Sequence, residues 1–161
     1  QLRQALTRGA RLAQIREPDL ARPALLSFAS AAIQLVHEFG ARVLLNGDEQ
    51  LAAQLGADGV HLKSAQLSAL KQRPSLPLVA ASCHDEQELA RAAELELDFV
   101  VLGAVQRTPS HAEKNGVGWP EFARLIKNYP LPVFAIGGLS RADLEIAWLS
   151  GAHGIAAIRG T

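Results

Sequence analysis

Two glycine-bearing segments late in the chain carry its clearest chemical signal: PVFAIGGL, Pro132 to Leu139, and GAHGIAAI, Gly151 to Ile158. Each is an apolar run beside Gly or small residues, and bare backbone N–H groups next to glycine are how α/β proteins hold a phosphate dianion. Gly137 and Gly138 are therefore candidates for a phosphate cradle, against the plainer reading of a tight strand exit that needs φ > 0. Arg16 offers a guanidinium fork suited to phosphate, or else an ion pair with Glu17. Gln14 stands two residues earlier, and strand alternation alone leaves open which face it takes. His61, His84 and His111 have a side chain that titrates near neutral pH and could supply a general acid or base. Each also has an ordinary reading: an interior residue bonded to backbone, a cap-region side chain, a solvated loop residue. His37 and His153 read as helix-surface and loop positions. Cys83, between Ser82 and His84, is either a nucleophile or a small buried hydrophobe of a strand. The polar run Arg107 to Lys114 reads as a lid.

The elements that must position these residues alternate. Strands are expected at Arg11–Ile15, Arg42–Leu45, Gly59–Leu62, Leu78–Ala81, Phe99–Val105, Val133–Ile136 and Ile155–Ile158. Helical patterns lie between them. One is apolar on one face from Pro23 to Phe39 and stops at Gly40; another runs from Glu49 to Leu55 behind Asp48 as N-cap and stops at Gly56. Asp85 and Glu88 have capping-box spacing ahead of a helix, Pro120 to Tyr129 ends against Pro130, and Ser140 can cap the helix before Gly151. Strands alternating with helices and lacking hairpin turns make a parallel sheet. A doubly wound sheet and a (β/α)₈ barrel both accept this order. Even strand spacing, the lack of GxGxxG after the first strand, and polar or small residues at successive strand ends favour the (β/α)₈ TIM barrel. Those ends are Gln14/Arg16, Asn46, His61, Ser82/His84, Gly103 and Gly137/Gly138. The chain is short for a fold of about 250 residues, and it opens at Gln1 inside a helix pattern, Leu2 to Thr7. The first strand is therefore expected to be missing, and an upstream segment or partner would close the sheet.

Composition narrows the function classes. Sixteen basic and sixteen acidic side chains cancel in a chain of 161 residues, so there is no electrostatic footprint for nucleic acid or an anionic membrane. Hydrophobic residues make up 48% and aromatics only 5%, the Leu, Val, Ile and Ala palette of buried parallel strands. A single domain spanning residues 1–161 is expected. One cysteine and no zinc-ligand spacing suit a reducing, cytoplasmic setting.

The ordered set AQIREPDL, VLLNGD, LGADGVHL, ASCHDEQEL, VVLGAVQRTPSH, PVFAIGG and GAHGIAAI resembles the thiamine phosphate synthase and thiazole tautomerase superfamily of (β/α)₈ barrels. Ser110-His111 with the later VGW looks closest to barrel domains fused behind a Nudix hydrolase domain. For the synthase, the resemblance implies transfer of a hydroxymethylpyrimidine from its pyrophosphate to a thiazole phosphate, with Mg²⁺ on the leaving pyrophosphate. It carries Gln14, Arg16 and Asn46 to the pyrimidine pyrophosphate site, and Ser82 and His84 to the Ser and His of a strand end. Thr108 and Ser110 fall on the hydroxyl pair of a phosphate-contacting loop, and Gly137 and Gly138, with amides near Ile158 and Arg159, on the thiazole phosphate cradle. Arg16, His84 and His111 are the expected catalytic residues, with His61 among the substrate-binding ones.

The departures from the family pattern bear on the metal. Its acidic ligand after the Asn falls on Gly47, its second acidic ligand on Gln66, and its lysine on His111. Asp48, one residue late, is the substitute candidate; Mg²⁺ is expected only with synthase activity. The Asn-Gly pair resembles the tautomerase branch, but the histidine that follows the strand glycine there is Ala104 here. The expected function is binding of a thiazole phosphate or similar small phosphate ester, coupled to the pyrimidine pyrophosphate. The alternatives are a non-catalytic, regulatory domain of a Nudix fusion and a thiazole tautomerase-like isomerase.

Overall fold

The computed structural model describes residues 1–107 and 116–157. Helices and strands alternate: α1 (Leu2–Thr7), β1 (Leu12–Ile15), α2 (Arg22–Glu38), β2 (Arg42–Asn46), α3 (Glu49–Leu55), β3 (Gly59–Leu62), α4 (Ser64–Ala69), β4 (Leu78–Cys83), α5 (Glu86–Glu94), β5 (Phe99–Gly103), α6 (Gly118–Leu125), β6 (Val133–Ile136), a 3₁₀ turn (Arg141–Asp143), α7 (Leu144–Leu149) and β7 (Gly154–Ala156). The strands follow chain order in one seven-stranded sheet, β1 through β7. The chain divides into two compact units, Gln1–Leu62 with Pro74–Val79 and Lys63–Arg73 with Ala80–Thr161. Among the described residues no helix is long and apolar enough to cross a membrane.

In the first unit β1, β2 and β3 pair in parallel, with Ala13 opposite Val43, Gln14 opposite Leu44, and Asn46 opposite His61. Ile15, Val43 and Leu45 point to one face, where they pack in the core with Ala29, Ala32, Ile33 and Val36 of α2 and Leu51 and Ala52 of α3. Local chemistry sets the helix ends. Pro23 sits in the first turn of α2, and Asp48 caps α3 by accepting from the Leu51 N–H at 2.8 Å. Gly56 ends α3 at φ +71°, a left-handed stop that glycine adopts without strain.

In the second unit β4 through β7 are also parallel. Ala80, Ser82, Val101, Phe134 and Gly154 share one face by register, and Cys83, Leu102 and Ala135 the other. Phe99 and Phe134 meet edge to face, centroids 5.4 Å apart. Asp85 caps α5 through the Glu88 N–H at 2.9 Å. The return limb of the expected capping box is not made: the Glu88 carboxylate takes the His84 N–H at 2.7 Å instead.

Element boundaries shift where hydrogen bonds override the apolar pattern. β4 continues to Cys83, so Ser82 lies within a strand. β5 stops at Gly103 and not at Val105: beyond it the Val105 and Gln106 N–H groups still bond the β6 side, at Ile136 O (2.8 Å) and Gly137 O (3.0 Å), but one residue out of the strand register. Helix α6 begins at Gly118, before Pro120, and ends at Leu125, well short of Tyr129. β7 covers Gly154–Ala156, with its expected end, Ile158, outside the described residues. The short α4, SAQLSA, was not expected.

Candidate functional site

Alternation in the first unit places Gln14 and Asn46 on the sheet face opposite the α2/α3 core, with His61 beside Asn46. The face of Gln14, which strand alternation left open, is settled by register: it shares a row with Leu44 and Gly59 and is exposed on edge strand β1. Arg16 follows β1 and is exposed too. Asn46 donates from Nδ2 to the His61 carbonyl at 3.4 Å, and the Gly47 N–H reaches the same carbonyl at 2.9 Å. His61 is the one buried polar side chain among the described residues, 4% exposed. Burial pushes its pKa down to about 4, and the nearby Arg16 charge pushes the same way. His61 is therefore a neutral imidazole at pH 7. It can accept or donate one hydrogen bond but is not a cationic acid. Arg16, one residue past the end of β1, is near enough for its charge to bear on His61.

The other candidates lie in the second unit. Gly137 and Gly138 leave β6 at φ +103° and +70°. A Cβ on Gly137 would stand 2.5 Å from Ala104 Cβ, and one on Gly138 would stand 2.8 Å from Arg107 O and 2.9 Å from Gln106 Cβ. The plainer reading is thus met in full: both positions need glycine for backbone conformation and for close approach to residues 104–107. A main-chain turn free of side chains is also what an approaching phosphate requires. Ser82 lies on the β4 face opposite Cys83. His84 stands past the strand at the start of α5, exposed, with Nδ1 2.9 Å from Glu88 Oε2. Cys83 is fully buried, and burial followed by the Glu88 and Asp85 charges pushes its thiol up to about 12. That rules out a thiolate nucleophile near neutral pH. Thr108, Ser110, His111, Ile158 and Arg159, with most of the lid reading, lie outside the described residues.

The metal candidates test poorly against Mg²⁺, which needs hard oxygen ligands. Gly47 and Gln66 occupy the two positions where carboxylates are expected, and Gln66 Oε1 is bonded to the Lys63 N–H at 3.0 Å, capping α4. Asp48 is committed to its own helix cap, with Arg22 3.7 Å from its other oxygen. Among the described residues no three His, Cys, Asp or Glu gather to hold a metal ion. The donor set does not fit a carboxylate-held Mg²⁺.

One connection was not readable in the sequence. Gln106 Nε2 donates to Asp143 Oδ1 at 3.0 Å, across 37 residues. The Ser140-to-Asp143 spacing is a capping signal, and Asp143 does accept from Ser140 N–H at 2.7 Å, but nothing in the sequence pointed to Gln106.

Comparison with known proteins agrees with this architecture. A solved thiamine phosphate pyrophosphorylase from Pyrococcus furiosus superposes with a TM-score of 0.82 at 24% identity, covering 98% of this chain and 77% of that one, which speaks to the fold. A Geobacter sulfurreducens protein is 39% identical over 158 residues, 96% of this chain and 74% of its own length. A thiamine-phosphate synthase of Azorhizobium caulinodans is 31% identical over 159 residues, 96% of this chain and 75% of its length. None of these lends support to an upstream Nudix hydrolase domain. The family model described as thiamine monophosphate synthase matches residues 1–161. With relatives at this identity and coverage, the chain belongs to the thiamine monophosphate synthase family, whose role is in thiamine biosynthesis.

Proposed function

We propose that this chain binds a thiazole phosphate, or a closely similar small phosphate ester, at the β6 exit and joins it to hydroxymethylpyrimidine carried as its pyrophosphate. The observation that carries the proposal is the family match across residues 1–161, which includes the Gly137-Gly138 turn. The synthase name borne by the Azorhizobium relative supports the reaction type. In that reaction the thiazole ring nitrogen attacks the pyrimidine methylene carbon. The C–N bond forms as the C–O bond breaks, and pyrophosphate departs with the electron pair to leave thiamine phosphate.

On this reading the Gly137 and Gly138 main chain receives the ester phosphate. Arg16 binds the departing pyrophosphate through its guanidinium fork, so that negative charge develops against a fixed cation. Gln14, Asn46 and neutral His61 offer uncharged hydrogen bonds to the pyrimidine, which suits a ring whose nitrogens need donors and acceptors more than charge. In the (β/α)₈ arrangement that the family implies, these groups would sit at strand C-terminal ends.

A second reading, ligand binding without turnover, is favoured by one specific observation: Gly47 and Gln66 stand where a synthase would place metal-ligand carboxylates, and the substitute candidate Asp48 is committed to a helix cap. The two readings separate in one assay. Full-length polypeptide is mixed with thiazole phosphate, hydroxymethylpyrimidine pyrophosphate and Mg²⁺, and thiamine phosphate is measured alongside calorimetric binding of each precursor. Product formation that falls by about a hundredfold or more in Arg16→Ala establishes the synthase. Thiazole phosphate binding with no product at high enzyme selects the binding domain. No binding of either precursor sinks both readings.

A further inference from the structure

We propose that Asp143 is a positioning residue for the phosphate-binding turn and acts through Gln106. The inference rests on the reading of Gly137-Gly138 as the ester phosphate site. Gln106 is held at two points: its backbone N–H donates to Gly137 O at 3.0 Å, and its side-chain Nε2 donates to Asp143 Oδ1 at 3.0 Å. The second carboxylate oxygen of Asp143 accepts from Ser140 N–H at 2.7 Å and Ser140 Oγ at 3.0 Å. Residues 137 to 143 are thereby closed onto one residue of the segment after β5. That segment also presses on the glycines, with Gln106 Cβ 2.9 Å from where a Gly138 Cβ would lie.

Capping accounts for only half of this arrangement. A cap needs one carboxylate oxygen, and Oδ2 serves Ser140. The other oxygen reaches out of its own turn to a residue 37 positions away. The consequence is conformational. Two adjacent glycines lose more backbone entropy on being ordered than any other pair, and a phosphate held by main-chain groups must find them already in place. Tying both ends of the turn to Gln106 lowers the ordering cost that the ligand would otherwise meet. The Ser140 hydrogen bonds and the Gln106 amide keep the Asp143 carboxylate ionised, its pKa held below the ordinary carboxylate range.

The test combines calorimetric titration of thiazole phosphate with amide hydrogen exchange of the ligand-free protein, on wild type, Asp143→Ala, Gln106→Ala, Asp143→Asn and the double alanine variant. Both single alanine variants should bind roughly tenfold more weakly, and the double variant no worse than either, because they remove one shared interaction. Gly137 and Gly138 amides should exchange faster in both. Asp143→Asn should recover most of the affinity, since its amide still accepts from Ser140 N–H and can donate to the Gln106 side-chain oxygen. A loss from uncapping alone would also be rescued by Asp143→Asn, but it would leave Gln106→Ala at wild-type affinity, so the weakening in Gln106→Ala is what marks the clasp. Should Asp143→Ala fail to fold, Gln106→Ala carries the test alone, as Gln106 caps nothing. Wild-type binding with unchanged affinity and exchange in Gln106→Ala overturns the clasp and leaves the site standing. No wild-type binding overturns both.

Discussion

His61 couples folding to pH. Its imidazole is pushed from 6.5 in the unfolded chain to about 4 in the fold, first by burial and then by Arg16. Between those values the unfolded state binds the extra proton and the native state does not, so stability rises with pH across the window and is lost as pH falls from 6.5 toward 4. The size is about 3 kcal/mol for a shift of this extent. Urea unfolding at pH 7 and pH 4.5 should show that acid-side loss, and His61→Gln should flatten it. An unchanged slope in the variant would mean the imidazole is solvated and protonates freely. The sequence offered His61 as a candidate site residue but not its state, because neutrality comes from burial and from a charge on a different strand end, neither of which residue type reveals. Arg16 and the glycine pair could be proposed from sequence for the opposite reason: guanidinium and bare main chain have a fixed chemistry wherever they are exposed.

The helix caps decide what the acidic residues are for. Asp48 commits one oxygen to the Leu51 N–H, and Gln66 stands in for a cap at α4. Asp48→Ala should cost about 1 kcal/mol of stability, whereas Asp48→Asn, which keeps an acceptor, should cost little. Neither should alter the melting temperature's response to millimolar Mg²⁺. A Mg²⁺-dependent stabilisation present in wild type and lost in Asp48→Asn would return this carboxylate to metal binding. Strand and helix alternation was legible because buried parallel strands are continuous apolar runs and most helices carry a capping residue or a glycine stop. α4 escaped because its cap comes from Gln66 behind a Lys63 N-cap, which is no conventional start signal: it is six residues long, and all but Leu67 are Ser, Gln or Ala, which gives too little periodicity to detect. The end of β5 escaped because Ala104 and Val105 prolong the apolar run and look like strand. The chain there stays beside β6 but slips by one residue, with the Val105 and Gln106 N–H groups bonding Ile136 and Gly137 out of the strand register.

At the scale of the whole molecule, membership of the thiamine monophosphate synthase family was readable from an ordered series of short segments, each weak alone. What no such series contains is a contact between distant loops. Gln106 with Asp143 is the example, since both residue types are common in turns and only the folded chain brings them together. The same limit applies to Cys83, whose two readings differ only in burial, and burial settled it.

That burial gives the protein a clock. With its thiol raised to about 12 and no exposed surface, Cys83 is silent toward an aromatic disulfide reagent until the second unit opens. At pH 8 its labelling should lag a free thiol by on the order of a thousandfold from thiolate fraction alone, and further by the rarity of opening. Any anion that binds the closed second unit should slow the colour change in proportion to its occupancy. Labelling as fast as a small-molecule thiol would show that the interior around Cys83 breathes. A chain with one cysteine thus carries its own reporter, and ligands can be ranked by how long they hold it shut.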